Sequence, residues 1–433
     1  MSAALQRVGK NFSLILSGKT VGALLSLAYL AIAARVLGPR DFGVLALMHA
    51  AIMFIGGIVA FSGWQTLVRF GQAPLREDDR EGLASVIRLT ALIEAAMALV
   101  AILAAAIALP IAAREGGWGP VAEQYAPFYA LAILATARQT PFGLLQLFRR
   151  FDWLGAHAAV MPLVRFLGTL AVVATGGGLG AFILVWMAAA AAEGLSLWAM
   201  AGIAMARRSI AWPTPRRVSE ALRLFPGIGR YAFVSNADYT LVNITPLAIP
   251  LLVGAVLGPT AAGLFALATR ATNALQQPAQ LAAQSSFEVV ADLASRQQWA
   301  ELRAMLWKGG AIAIGAGGIV ALLFVASGET VMAVFGGPEF AAAGSILALV
   351  AIARALAMAQ PGLAATLGAL GRPGVSLVIS VSVGLAALAA MVAGMLALGL
   401  DGVGYAMIGQ SLAATLLAAV ATAKVIGIEE RRA

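Results

Sequence analysis

A run of twenty apolar residues leaves a polypeptide few options, because a backbone surrounded by hydrocarbon must satisfy its own hydrogen bonds. This chain has about twelve such runs, each long enough to cross a bilayer core as a helix. They fall at about 12–36, 42–66, 84–109, 124–147, 155–176, 179–206, 229–254, 261–286, 305–327, 341–366, 373–398 and 402–426. Composition agrees: 61% of residues are hydrophobic and 11% charged, against about half and a quarter in soluble domains. The expectation is an all-α polytopic membrane protein. The start, with Arg7 and Lys10, runs straight into a full-length span, so no cleavable signal is expected.

Basic residues set the orientation. Arg69, Arg76, Arg80, Arg149, Arg150, Arg207, Arg208, Arg216 and Arg217 are among many on one side, while the other has only Arg35, Arg40 and Arg114. Both termini are therefore expected in the cytoplasm. The net charge of +9 follows from this bias, so no nucleic-acid partner is expected.

An internal repeat organises the runs. Leu37-Gly38-Pro39-Arg40-Asp41-Phe42-Gly43-Val44-Leu45-Ala46-Leu47 returns as Leu257-Gly258-Pro259-Thr260-Ala261-Ala262-Gly263-Leu264-Phe265-Ala266-Leu267, 220 positions on (257 − 37). Each copy reads as a tight outer turn between two spans. Pro141 pairs with Pro361 at the same offset, and Arg88 with Lys308. An even number of spans per half makes the repeat parallel. The expected plan is two six-helix bundles around a central cavity, with bundles at 1–206 and 229–433. Between them, 207–228 is a basic cytoplasmic linker with two prolines. Val218, Ala221, Leu222 and Phe225 there follow helical spacing, which fits either a short amphipathic helix on the inner leaflet's lipids or a solvated linker.

Charges deep in a span tend to face a cavity or a partner. The candidates are Lys19, Glu94, Arg138, Arg165, Glu193, Asp238, Arg270 and Arg354, five cations against three acids. Glu94 and Glu193 read most simply as interhelical ties to two of the arginines. Arg354 maps to position 134, and Arg138 lies one helical turn beyond, so the fourth span of each half presents a cation on matching faces, upstream of the paired prolines. In the eighth span Arg270, Asn273, Gln277, Gln280 and Gln284 form one polar stripe. It is read as the wall of a wet cavity, or as hydrogen bonds to a neighbouring helix. In the seventh span Asp238, Thr240 and Asn243, with Pro246 and Pro250 nearby, could hold Na⁺, relay H⁺, or simply form a structural polar cluster.

Several chemistries are not expected. Cysteine is absent, which excludes disulfides and thiolate metal sites, and two histidines, His49 and His157, leave little for zinc. No metal site and no cofactor is expected. No nucleotide-binding P-loop, zinc-protease motif or nucleophile elbow appears. The outer loops are short, the longest roughly Ile111–Pro120, leaving no room for an outer catalytic domain.

The first spans carry a recognisable pattern. Asn11-Phe12, Gly18-Lys19, a long apolar run, Ala34-Arg35-Val36-Leu37-Gly38-Pro39 and Asp41-Phe42-Gly43 resemble the Wzx-type polysaccharide and O-antigen repeat-unit flippases. These belong to the multidrug/oligosaccharidyl-lipid/polysaccharide exporter superfamily. Beyond the first two spans the resemblance rests on the twelve-span plan. It implies movement of undecaprenyl-diphosphate-linked glycans across the bacterial inner membrane, with both halves forming a V-shaped cavity of cationic lining. Ion-gradient-driven alternating access, a monomeric state and polysaccharide-assembly proteins as partners are implied too. Lys19 matches the basic residue such proteins place early in the first span; Arg35 reads as topological or capping. Twelve spans, rather than the fourteen typical of lipid II flippases, weigh against lipid II.

The functional expectation is a flippase that binds the diphosphate with Lys19, Arg138, Arg165, Arg270 and Arg354. The sugars would lie on Asn273, Gln277, Gln280 and Gln284, with ion coupling at Asp238, Thr240 and Asn243. A multidrug/cation antiporter of the same fold is the alternative; it would favour an acidic lumen, whereas the midplane excess here is positive. An integral-membrane enzyme would need large loops bearing catalytic acids, so no enzymatic activity is expected.

Overall fold

The computed structural model describes residues 3–59, 61, 63–210, 218–273, 289–290 and 292–432. Helices joined by short turns make up the described residues, with no strand among them. The first half contains α1 (Ala3–Val59), α2 (Gly63–Arg76), α3 (Arg80–Glu115), α4 (Pro120–Tyr129), a 3-10 helix (Ala130–Ala135), α5 (Gln139–Leu147), α6 (Phe151–His157), α7 (Val160–Thr175) and α8 (Leu179–Ala206). After the short α9 (Val218–Leu224) come α10 (Ile228–Asn273), α11 (Trp299–Gly336), a 3-10 helix (Pro338–Ala343), α12 (Gly344–Ala357), α13 (Gln360–Ala369), α14 (Pro373–Leu398) and α15 (Leu400–Arg432).

Nine helices among the described residues are long and apolar enough to cross a membrane. The number is below about twelve for three visible reasons. The stretch Thr20–Val59 runs through a break at Gly38 and holds two of the apolar segments. Likewise Ile244–Asn273 runs through a break at Gly258 and takes in parts of the seventh and eighth. The fourth segment is divided among α4, a 3-10 helix and α5, each too short to span alone. Leu103, Ile107, Ile312 and Leu396 are more than half exposed on the long helices α3, α11 and α14. Such apolar outer faces suit lipid rather than water.

The junctions expected at the repeated turn are one residue long. Gly38 (φ 68°, ψ 174°) interrupts α1, and Gly258 (φ 83°, ψ 175°) interrupts α10 in the same conformation. A positive φ of this kind excludes Cβ-bearing residues at little less than full strain, so both copies keep glycine. The repeat extends further in the backbone than in the sequence. Left-handed positions recur at Asp78 and Gln297, Gly119 and Gly337, Arg149 and Gly371, and Gly176 and Gly399, all close to the 220-residue offset.

Contacts divide the chain into one unit of residues 1–37 and 44–247 and another of 38–43 and 248–433. Residues 229–247, which the division at 229 gives to the second bundle, thus cluster with the first unit. Aromatic contacts hold them there: Tyr231 meets Phe70 edge-on at 5.7 Å and lies under the Arg69 guanidinium at 4.4 Å. Ala221 and Phe225 from the linker helix also join this core, with Leu83, Ile87, Leu144 and Leu197.

In the second unit the two copies of the turn lie together. A Cβ on Gly43 would land on the Pro259 carbonyl oxygen, and one on Gly263 on the Pro39 carbonyl oxygen. This reciprocal approach of bare backbone explains the second glycine of the motif. Phe42 packs edge-on against Phe340, with centroids 5.9 Å apart. Elsewhere α11 packs on α12, with Ala321 against Ala351 and Ala355.

Candidate functional site

The fourth span of each half is broken at nearly the same register, at Thr136–Arg138 in the first and at Met358–Ala359 in the second. Both breaks sit just before the paired prolines, Pro141 and Pro361, as the sequence predicts. A break frees backbone N–H and C=O groups that hydrocarbon cannot satisfy. How each half satisfies them shapes the two candidate sites.

In the first unit Glu94, from α3, accepts from the backbone N–H of Gln139 and, at 2.9 Å, of Thr140. These are the first donors of α5, where a carboxylate also meets the positive end of the helix dipole. Trp198 Nε1 donates to the Ala137 carbonyl at 3.1 Å. Arg138, at the N-cap of α5, forms an ion pair with Glu193 of α8. The tie expected for Glu193 is therefore present, and the one expected for Glu94 is not. Glu94 is buried, with 3% of its surface exposed, and serves backbone donors instead of an arginine. A small cleft lined by Gly56, Phe61, Met97, Thr136 and Ala137 lies beside it.

Arg165 occupies a different environment. It is 3% exposed on α7, its Nη1 donates to Tyr29 Oη at 3.2 Å, and its guanidinium lies 4.9 Å from the Trp186 ring centroid. Tyr29 and Trp186 meet edge to face at 5.4 Å. Aromatic faces thus stabilise a cation in place of a carboxylate. Its Nε and Nη2 have no hydrogen-bond partner among the described residues.

In the second unit Arg354 lies in the last turn of α12, and its Nη2 donates to Asn273 Oδ1 at 3.2 Å. Arg270 is on the same face of α10, one turn before Asn273. Three of the sequence-predicted residues are thereby brought together. The rest of the stripe, Gln277, Gln280 and Gln284, lies outside the described residues, as do the side chains of Lys19, Asp238 and Asn243. Thr240 is on α10 with its hydroxyl buried. The break itself uses neutral groups: Gln360 Nε2 donates to the Ser411 carbonyl at 3.2 Å and to Thr415 Oγ1 at 3.1 Å. Thr415 Oγ1 donates in turn to the Leu356 carbonyl at 2.9 Å. No group of three or more His, Asp or Glu side chains suited to a metal ion occurs among the described residues.

Sequence reasoning missed Trp198, Gln360 and Thr415. The signal for Gln360 was its place directly before Pro361, where a helix restarts. Trp198 and Thr415 gave none, because an indole or hydroxyl inside an apolar span is ordinary.

Comparison with known proteins places this geometry. The family described as "Polysaccharide biosynthesis protein" matches residues 8–293. The inner membrane protein YghQ of Escherichia coli is 26% identical over 337 residues, covering 78% of this chain and 94% of that protein. Among solved structures, an inward-facing multidrug resistance MATE family transporter of the MOP superfamily has a TM-score of 0.78 at 15% identity, over 95% of this chain and 96% of that one. The Vibrio cholerae MATE transporter VcmN in its bent form has a TM-score of 0.61 at 15% identity, over 98% of each chain. At that identity the likeness is one of fold.

Proposed function

This chain belongs to the polysaccharide biosynthesis protein family, and on that premise we propose that it is a flippase for a polyprenyl-diphosphate-linked oligosaccharide. It is a multi-pass membrane transporter with the MATE-type fold, and family and fold are those of transporters rather than catalysts. In our reading it carries its substrate from the inner to the outer leaflet of the bacterial inner membrane, with both termini in the cytoplasm. The observation that carries the reading is the meeting of Arg354 with Asn273 beside Arg270. Guanidinium groups bind phosphate oxygens through charge-assisted bonds, and amides suit sugar hydroxyls.

The second unit thus offers an anion two guanidinium groups and an amide, and the first unit offers Arg138. Lys19 joins this set through its place in the family pattern. Differential contacts of the headgroup with the inward- and outward-open states would drive alternating access, and Asp238, Thr240 and Asn243 on α10 are our candidates for the coupling Na⁺ or H⁺. A cation antiporter is the second reading, favoured by the MATE-type fold. It would need carboxylates free to meet a cation, whereas Glu94 and Glu193, the buried acids among the described side chains, are both engaged at a helix break.

The test is transport of labelled undecaprenyl-diphosphate oligosaccharide in proteoliposomes. Arg138→Ala, Arg270→Ala and Arg354→Ala should each lower the rate by roughly tenfold or more, the equivalent of one charge-assisted bond. Undiminished rates in all three would sink the proposal. Uptake of organic cations without glycan transport would favour the antiporter.

A further inference from the structure

One place in the first unit brings together two buried carboxylates, one guanidinium and a helix break. Glu94 and Glu193 come from α3 and α8 and meet three consecutive residues, 138–140. They are 3% and 8% exposed. Their jobs differ. Glu94 is held by backbone donors that stay with the helix. Glu193 holds a side chain that can leave: Arg138 is 37% exposed in this pair, within reach of an anion, and the second oxygen of Glu193 has no hydrogen-bond partner among the described residues.

Helix α1 meets α8 through Tyr29 on Trp186, and carries Arg35 and Lys19, the latter with its side chain outside the described residues. Among the described residues of α4 to α7, no cation but Arg165 is at hand. Helix α5 and the adjoining 3-10 helix carry no charged residue. On α4 the titratable groups are Glu123, Tyr125 and Tyr129; on α6 they are Asp152 and His157. On α7 there is Arg165, engaged by Tyr29 and Trp186. If Arg138 leaves, Glu193 is a buried carboxylate without its counter-charge, and such a group takes up a proton rather than remain ionised.

We propose that Arg138 is an exchange point. A diphosphate headgroup draws the guanidinium away from Glu193, and Glu193 takes a proton from water as it is released. When the anion leaves, Arg138 returns and the proton is given up. Anion binding and protonation are thereby linked, and reciprocally so: falling pH strengthens binding. This rests on the reading that Arg138 receives the headgroup, and it sets the proton at the substrate's own arginine rather than on α10. His157, within electrostatic reach of Arg138, is a second titratable group beside that arginine and needs its own control.

Calorimetry separates these outcomes, using the purified full chain in detergent with farnesyl diphosphate as probe. Titrations at pH 8, in two buffers of different ionisation enthalpy, give the protons taken up on binding. The wild type should take up about one proton per diphosphate bound. Glu193→Gln should take up none and bind roughly tenfold tighter, a difference of about 1.4 kcal/mol, since its competitor for Arg138 is uncharged. His157→Gln should keep the uptake. Binding by the wild type without proton uptake, or uptake that persists in Glu193→Gln, overturns the exchange while the flippase reading stands. The wild-type measurement decides even where a variant fails to fold. Equal affinity for inorganic diphosphate would overturn the lipid headgroup as the anion. No binding to the wild type at all removes the headgroup reading, and the exchange with it.

Discussion

The two helix breaks solve one problem with different chemistry. In the first unit a buried carboxylate caps α5 and an ion pair flanks it. In the second, an amide and a hydroxyl bridge the break, and the nearby arginine meets an asparagine. Duplication supplied the same backbone interruption twice, and side chains then specialised. A charged cap ties the first break to protonation state. A neutral cap makes the second indifferent to it, and there Arg354 donates to an amide, Asn273.

Substitutions can break or sharpen that contrast. Glu94→Ala strands two buried donors at once and should cost about 3 kcal/mol, a large fall in the thermal unfolding midpoint in detergent. Glu94→Gln, which keeps one accepting oxygen, should recover roughly half of that. Thr415→Val removes an acceptor for Gln360 and a donor to Leu356 and should cost about 1–2 kcal/mol. A loss from Thr415→Val equal to that from Glu94→Ala would show that the carboxylate is no stronger a cap than the hydroxyl. Gly38→Ala and Gly258→Ala should each cost about 1–3 kcal/mol, because a positive φ with ψ near 175° is a region that essentially only glycine enters. Gly38→Ala should be the worse of the two, because its Cβ would sit 3.1 Å from Glu339 Oε2 whereas that of Gly258 meets nothing within 4 Å. The reverse order would mean that local crowding at Gly38 does not matter.

Some of this was legible in the sequence because it is written in residue identity. Gly38 and Gly258 must be glycine, so their repeat survives in the letters. Asp78 and Gln297 share a left-handed backbone too, yet neither residue type announces it, because a turn between helices tolerates many side chains at modest strain. That Glu193 would meet an arginine follows from counting charges that cannot lie alone in hydrocarbon; that the arginine is Arg138 does not. The cap by Glu94 did not, since its acceptors are backbone groups and depend on the register at which the fourth span stops. Nothing in a list of charges shows that Tyr29 and Trp186 lie against Arg165. Aromatic partners for a cation are written as apolar letters.

The cage around Arg165 has an electrical consequence. A guanidinium paired with a carboxylate loses its counter-charge when acid protonates the partner, but aromatic quadrupoles do not titrate. The neighbours of Arg165 are thus indifferent to acid, whereas Arg138 faces a carboxylate. Acidification cannot neutralise this interior; it can only make it more positive. A compartment built this way polarises toward anions on the acid side, setting a fixed bias against which any titrating group in the unit must work.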